Sequence, residues 1–377
     1  MDRHVKLSRI SRAGTAVFVG ALALALAACG SDDPTGTATG TSDSSETPAA
    51  AITGTFAGAG SSAQANAIKA WTAAFQGTNP DVTINYDPSG SGAGREQFIA
   101  GGLAWAGSDS ALKDEELEAS KTFCGAEGAI NIPVYISPIA VAYNLPGVKD
   151  LNLSAENVAK IFTGAITTWN DPALVADNPD AQLPATNITP VHRSDKSGTT
   201  NNFTDWLHAN AGDIWTNEKN DVWPLQGGDS AQGTSGVAGV VSQTEGAIAY
   251  IDESGVTPDL NIAKIKVGDT FTALTPEGAA NVVSSSPLAE GRSANDVSVQ
   301  IDRTASAEGD YPLLLVSYAI ACSHYSDQST GDFVKAWLGY IVSDAGQQVA
   351  AQAAGSAPLA GDVATKAAAA VDSITAG

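Results

Sequence analysis

Four short stretches of this sequence concentrate residues that donate hydrogen bonds: Gly58-Ala59-Gly60-Ser61-Ser62, the run from Ser89 to Gly94, Gly107-Ser108-Asp109, and Arg193-Ser194-Asp195-Lys196-Ser197-Gly198-Thr199. Glycines let backbone N–H groups turn toward a ligand, and a helix that follows such a loop presents free N–H groups carrying partial positive charge. Ser and Thr hydroxyls add neutral donors. Arg193 adds one fixed cation able to grip two oxygens at once. Together these groups suit a small tetrahedral oxyanion. Asp109 is the odd member, because a carboxylate beside an anion repels it unless it accepts a proton from it. The expectation is an oxyanion that still holds a proton near neutral pH.

Each stretch has a plainer reading when taken singly. Gly58-x-Gly60-x-x-Ala63 after a strand imitates a dinucleotide fingerprint. Gly90 to Gly94 could be a simple turn, Ser197-Gly198-Thr199 a helix cap, Asp109 a cap or surface acid, and Arg193 with Asp195 a surface ion pair. Their recurrence at four strand ends favours the ligand reading.

The elements that position these loops read as α/β. Ile52 to Phe56 is a predicted strand, followed by a helix on which Ile68, Trp71 and Phe75 share one face. Val82 to Tyr86 is a second strand, with a helix from Arg95 onward. A third strand ends at Ala106-Gly107-Ser108-Asp109. Ile188 to His192 is a fourth, preceding a helix that contains Phe203, Trp206 and Leu207. Open α/β sheets bind ligands at such strand ends.

The chain has 377 residues, 41 acidic against 19 basic side chains and a formal charge of -22. That balance argues against nucleic acid, which is bound mainly through Lys and Arg. It does not exclude an anion in a closed cleft, since exposed charges are screened beyond about 8–10 Å. Four His and three Cys show no zinc-ligand spacing, so no metal and no cofactor is expected. Residues 1–28 read as a lipoprotein signal peptide: Arg3, Lys6, Arg9 and Arg12 precede the apolar run Ala13 to Leu26. Leu26-Ala27-Ala28-Cys29 resembles the bacterial lipoprotein box, with lipidated Cys29 the first mature residue; an ordinary secretory site is the alternative. Residues 29–51 then form a small, polar, acidic tether. In an exported, oxidising compartment Cys124 and Cys322 are expected to pair, the alternative being two buried thiols.

At the four loops the sequence resembles the phosphate-binding subunit of the high-affinity phosphate ABC transporter, a periplasmic-type solute-binding family. The resemblance runs from about Gly54 to about Leu359. Lys160-Ile161-Phe162-Thr163-Gly164, Trp169-Asn170-Asp171-Pro172 and Gly246-Ala247-Ile248-Ala249-Tyr250 carry it further. It implies a two-lobed periplasmic-binding-protein (type II) fold with two interlobe crossovers. Lobe one would be residues 52–132 plus 312–377, and lobe two residues 133–311. It implies phosphate contacts from Ser62, the Ala63 backbone, Ser91, Asp109, Arg193, Ser197, Gly198 and Thr199, with Asp195 supporting Arg193. Ser62 stands where many relatives have Thr and Ala63 where many have a bulky apolar residue, yet both keep their donors. Asp109 fits phosphate, which retains a proton near pH 7, better than sulfate, which has none. The implied protein is a monomeric, non-catalytic receptor held by a lipid anchor at the outer face of the cytoplasmic membrane, passing phosphate to permease subunits.

A secreted phosphatase is the enzyme alternative. No G-x-S-x-G, H-E-x-x-H or G-K-[ST] motif supports it, and no His/Asp cluster offers a general base. A sulfate or molybdate receptor is a third reading, against which Asp109 stands. The tryptophans are expected in the core and His192 in a structural or exposed role. The acids at 114–118 are expected to start a helix, and the Ala-rich tail from Ala360 to be a terminal helix or a frayed end.

Overall fold

The structure, a computed structural model, describes residues 51–377. The expected signal peptide, Cys29 and all but the last residue of the expected tether lie outside the described residues. The main strands are β1 (Gly54–Gly60), β2 (Val82–Asp87), β3 (Trp105–Ser108), β4 (Ala129–Tyr143), β5 (Thr189–Arg193), β6 (Asp229–Ala231), β7 (Ala247–Asp252) and β8 (Leu314–Cys322). The helices that matter here are α1 (Ala65–Thr78), α2 (Ser91–Ile99), α3 (Asp114–Cys124), α4 (Gly198–Ala211), α5 (Gly233–Gln243), α6 (Gln328–Val342), α7 (Asp344–Ala354) and α8 (Gly361–Asp372).

Eight strands form one path in the order β2-β1-β3-β8-β4-β7-β5-β6, within a sheet of nine. β4 belongs to both halves. Its residues Ala129 to Pro138 pair antiparallel with β8, and Ile139 to Tyr143 pair antiparallel with β7. All fifteen of its residues are buried, as expected for a central strand covered on both faces. The pairing of β8 with β4 shifts register between Ser317 and Tyr318. Such an irregularity re-aims side chains, and here it falls at a residue of the site.

The strand–loop–helix units stand where periodicity put them, but two boundaries differ: α2 begins at Ser91 and not at Arg95, so Ser91 to Gly94 form its first turn and not a loop, and β1 runs further than expected. β1 does not stop at Phe56 but continues through Gly58-Ala59-Gly60, pairing with β2 and β3. The glycines are required by packing: a Cβ on Gly58 would meet the Trp105 ring at 1.7 Å, and one on Gly60 would meet the Gly107 carbonyl oxygen at 1.9 Å. The loop after β1 is therefore shorter and begins at Ser61.

α1 buries Ala67, Ile68, Trp71 and Phe75, and α4 buries Phe203, Trp206 and Leu207, so both apolar stripes face the core. Trp71, Trp105, Trp169, Trp206, Trp215 and Trp337 are buried. The acids at 114–118 open α3, where the Glu116 side chain accepts from the Lys113 N–H. The Ala-rich tail forms α8 and ends in Thr375–Ala376, which pairs in parallel with His324–Tyr325. Cys124 at the end of α3 and Cys322 at the end of β8 are joined by a disulfide.

Candidate oxyanion-binding site

The ends of β1, β3 and β5, the starts of α2 and α4, and Ser317 of β8 converge on Asp109. This residue follows β3 directly and is 3% exposed. Its Oδ1 accepts from Ser61 Oγ and from Ser317 Oγ, each at 2.5 Å. Its Oδ2 accepts from Ser91 Oγ at the longer distance of 3.3 Å, and its N–H donates to the same Ser91 Oγ at 3.1 Å. Burial pushes the carboxyl upward from its ordinary range, while the Ser317 and Ser61 hydroxyls, the Arg193 charge and Ser91 pull it back.

Arg193, at the end of β5, is buried and held by Asp195 through two hydrogen bonds, from Nε to Oδ1 (2.7 Å) and from Nη2 to Oδ2 (2.5 Å). This fork fixes the guanidinium plane and partly neutralises it. Burial raises the Asp195 pKa, but Arg193 and the Gly233 N–H outweigh that, so it lies below the ordinary carboxylate range. The Arg193 N–H donates to Tyr250 Oη, which also bonds Thr200 Oγ1 at 2.8 Å.

Ser197 caps α4, accepting from the Thr200 N–H at 3.2 Å, which leaves its own hydroxyl proton free to donate. The Gly198 and Thr199 N–H groups open the helix, where no intrahelical acceptor exists. Thr199 Oγ1 is buried with no protein partner. A buried hydroxyl left unpaired is costly, and a ligand oxygen would satisfy it. Gly198 closes the group, since a Cβ there would lie 2.6 Å from Ser91 Oγ and from Asp109 Cβ.

The structure thus brings Ser91, Asp109, Ser197, Gly198 and Thr199 into one cluster, with Arg193 and Asp195 beside it. Ser62 and Ala63 are engaged differently. Ser62 Oγ bonds Thr234 Oγ1 at 2.9 Å and accepts the Thr234 N–H at 3.0 Å, at the start of α5. The Ala63 N–H donates to Ser61 Oγ at 3.1 Å. Gly90, with φ of 105°, lies against Asp195, so a Cβ there would clash with Oδ2 at 2.4 Å. His192 stacks on Trp223 with ring centroids 5.0 Å apart, a packing role.

Sequence reasoning missed several participants. Ser61, next to the expected Ser62, lies in the Gly58-Ala59-Gly60-Ser61-Ser62 stretch and meets Asp109. Ser317 and Gln64 carried no local signal. Neither did Asn202, whose amide donates to the carbonyls of Asp109 (2.7 Å) and Gly198 (2.9 Å) while its oxygen accepts from Arg303. Arg95 on α2 pairs with Glu116 at 3.0 Å and reaches Asp221, whose carbonyl accepts the Ser197 N–H. These contacts tie the two halves of the sheet together around the cluster.

Asp109 also borders a cleft of about 990 Å³ lined by Lys113, Asn202, Lys219, Arg292 and Arg303 among others. Another cavity, of about 360 Å³, lies beside Cys322 and Tyr325 and shares no residue with the cluster. Among the described residues no group of three His, Cys, Asp or Glu side chains could hold a metal, and no helix is long and apolar enough to cross a membrane.

A pocket of hydroxyls, helix-start amides and one tethered arginine around a buried carboxylate is the equipment of an oxyanion receptor. Residues 45–345 match the PBP superfamily domain. The chain is 37% identical over 281 residues to phosphate-binding protein PstS 3 of Mycobacterium leprae (strain TN), covering 74% of this chain and 76% of that relative. To phosphate-binding protein PstS 2 of Mycobacterium tuberculosis (strain H37Rv) it is 34% identical over 322 residues, 83% of this chain and 85% of that one. Its fold is similar to that of PfluDING, a high-affinity periplasmic phosphate-binding protein, with a TM-score of 0.69, 20% identity, and 84% and 93% of the two chains covered. The chain belongs to the PBP superfamily and, within it, to the PstS phosphate-binding proteins. The fold is accordingly the two-lobed one, and the family is one of binding proteins, not enzymes.

Proposed function

We propose that this protein captures inorganic phosphate between its lobes outside the cytoplasmic membrane and delivers it to the permease subunits of an ABC transporter. The observation that carries this reading is Asp109, a buried acceptor facing donors from α2 and α4 and beside Arg193. Ser91, Asp109, Arg193, Ser197, Gly198 and Thr199 hold the anion, and Asp195 holds Arg193. Ser62 and the Ala63 amide complete the set when the anion draws them from Thr234 and Ser61. An anion lacking a proton leaves Asp109 facing like charge with nothing to accept.

Residues 52–132 with 312–377 form lobe one and residues 133–311 lobe two. Passage of β4 from one half-sheet to the other supports a crossover there. Phosphate bridges the two, so binding and closure are one event. A monomer anchored through lipidated Cys29, on a tether ending near Ala51, keeps the receptor beside its permease. Names of the relatives support phosphate as ligand.

The test is calorimetric titration of the compact unit Ala50–Gly377, stripped of anion, with phosphate and then sulfate at pH 7. One-to-one phosphate binding with no sulfate heat is expected. Folded, ligand-free protein that ignores phosphate overturns the reading. For the anchor, Cys29→Ser is expected to release the protein from the membrane fraction; retention there refutes lipidation.

A further inference from the structure

Three residues outside the expected ligand set meet behind Asp109, and the directions of their protons can be worked out. Ser61 Oγ accepts from the Ala63 N–H (3.1 Å) and the Gln64 N–H (3.4 Å). Its single proton is left for its 2.5 Å contact with Asp109 Oδ1. Ser317 Oγ accepts from the Gln64 side-chain amide at 2.5 Å, and that amide also donates to the Tyr318 carbonyl at 3.2 Å. Because an amide nitrogen only donates, the Ser317 proton too is turned toward Asp109 Oδ1, at 2.5 Å. Two oriented hydroxyls thus saturate one carboxylate oxygen from behind. The other oxygen has only the 3.3 Å contact with Ser91 and faces the donor cluster.

We propose that Gln64, Ser61 and Ser317 form a proton-orienting relay that holds Asp109 as a charged, acceptor-only group and thereby sets the preference for protonated oxyanions. These are positioning residues acting through Asp109, and the selectivity part of the inference rests on the phosphate reading. The physical need is clear. A carboxylate buried this deeply tends to take up a proton, and a protonated Asp109 would donate to the anion and welcome sulfate. Hydrogen bonds to the charged form oppose that uptake. The bonds from Ser317 and Ser61 are the two strongest of the effects lowering the Asp109 pKa.

The other titratable groups facing Asp109 are few. Arg193 on β5 favours its charged form. Tyr86 on β2, whose hydroxyl donates to the Ser61 carbonyl at 2.8 Å, is held neutral by burial with the Asp109 charge adding to it. Asp252, at the end of β7, feels the Asp109 charge. Arg95 on α2 is the nearest further cation, its Nη1 donating to Ser108 Oγ (3.0 Å) and Ser110 Oγ (2.8 Å) on either side of Asp109. The residues in contact with the carboxylate itself, Ser61, Ser91, Gly198 and Ser317, are uncharged.

The test reads the carboxyl directly. In ligand-free protein labelled with [13C]aspartate, the Asp109 signal is assigned by Asp109→Asn and the Asp252 signal by Asp252→Asn, and both are followed against pH. Ser61→Ala and Ser317→Ala are each expected to move the Asp109 midpoint upward, and the double variant further. Ser61→Thr, which keeps the hydroxyl, is expected to keep the wild-type midpoint. In competition titrations at pH 6 the double variant is expected to lose about tenfold of its phosphate-over-sulfate preference, the scale of one hydrogen bond to a charged group. An unmoved Asp109 midpoint in the double variant overturns the relay. Should that variant not fold, Ser61→Ala decides in the same way, since it removes one loop oxygen. If wild-type protein bound no phosphate, the phosphate reading would fail, while the ligand-free titration would still decide the relay.

Discussion

Gly198 and Asp109 come from opposite halves of the sheet and touch: a Cβ built on Gly198 would lie 2.6 Å from Asp109 Cβ. The same Cβ would sit 2.6 Å from Ser91 Oγ, so the start of α4 can close on β3 and α2 only because residue 198 has no side chain. Closure of the ligand cluster and absence of a methyl group are one requirement.

Gly198→Ala is therefore expected to wedge the halves apart without harming either. Its backbone lies in the first turn of α4 with no positive φ, so the cost is steric. Overpacking of about 1–3 kcal/mol translates into phosphate binding weakened roughly 10- to 100-fold, read by calorimetry. Unchanged affinity would show that this contact is not needed for the bound state.

Asp109→Asn is expected to reverse the polarity of the ligand-facing atom. Ser61 and Ser317 both donate to the Oδ1 position, so the amide oxygen stays there and its NH2 turns toward the anion. Phosphate loses its acceptor and sulfate gains a donor. Competition binding is expected to show the preference for phosphate narrowing at least about tenfold. A ratio unchanged within error would refute the acceptor role.

Asp252 and Glu253 predict how stability varies with pH. Burial pushes each to about 7; the Asp109 charge adds to the first and Glu277 to the second. In the unfolded chain the same groups release their protons near pH 4. Between those limits the folded state holds more protons, so their stabilising contribution, complete below about pH 4, is lost as pH rises to about 7. Asp252→Asn, neutral throughout, is expected to flatten this slope and to melt higher than wild type at pH 8. Parallel melting curves for the two proteins from pH 5 to pH 8 would contradict this.

The Cys124–Cys322 bridge spans a sequence separation of 198 residues. Chain entropy for so long a loop gives at most about 5 kcal/mol, or roughly 7 °C in melting temperature for a chain of this size. Cys124→Ser with Cys322→Ser is expected to melt several degrees lower while binding phosphate as wild type does at 25 °C, because the bridge lies away from the Asp109 cluster. A loss of affinity at that temperature would place the disulfide in the closure mechanism instead.

Much of the candidate site's local geometry is legible because it is decided between near neighbours. Strand ends followed by hydroxyl-rich turns and helices are written within ten residues of each other, and hydrogen bonds such as Ser197 Oγ to the Thr200 N–H are decided at that range. Apolar spacing likewise marked the faces of α1 and α4. The extent of β1 is not legible in the sequence because Gly58 and Gly60 look like loop residues, whereas they are strand residues kept small by Trp105 and Gly107.

What the sequence determined by itself was the ordered set of strand–loop–helix units and the polar chemistry each loop exposes, since backbone periodicity and capping act between near neighbours. Tertiary structure alone decided which distant side chains complete that chemistry. Ser317 reaches Asp109 because β8, far along the chain, is inserted between β3 and β4, and its register shifts just there. Asn202 joins the carbonyls of Asp109 and Gly198, and Arg95 finds Asp221, for the same reason. Strand order and register set these encounters, and both follow from burying the whole sheet at once, which no short stretch of sequence can express.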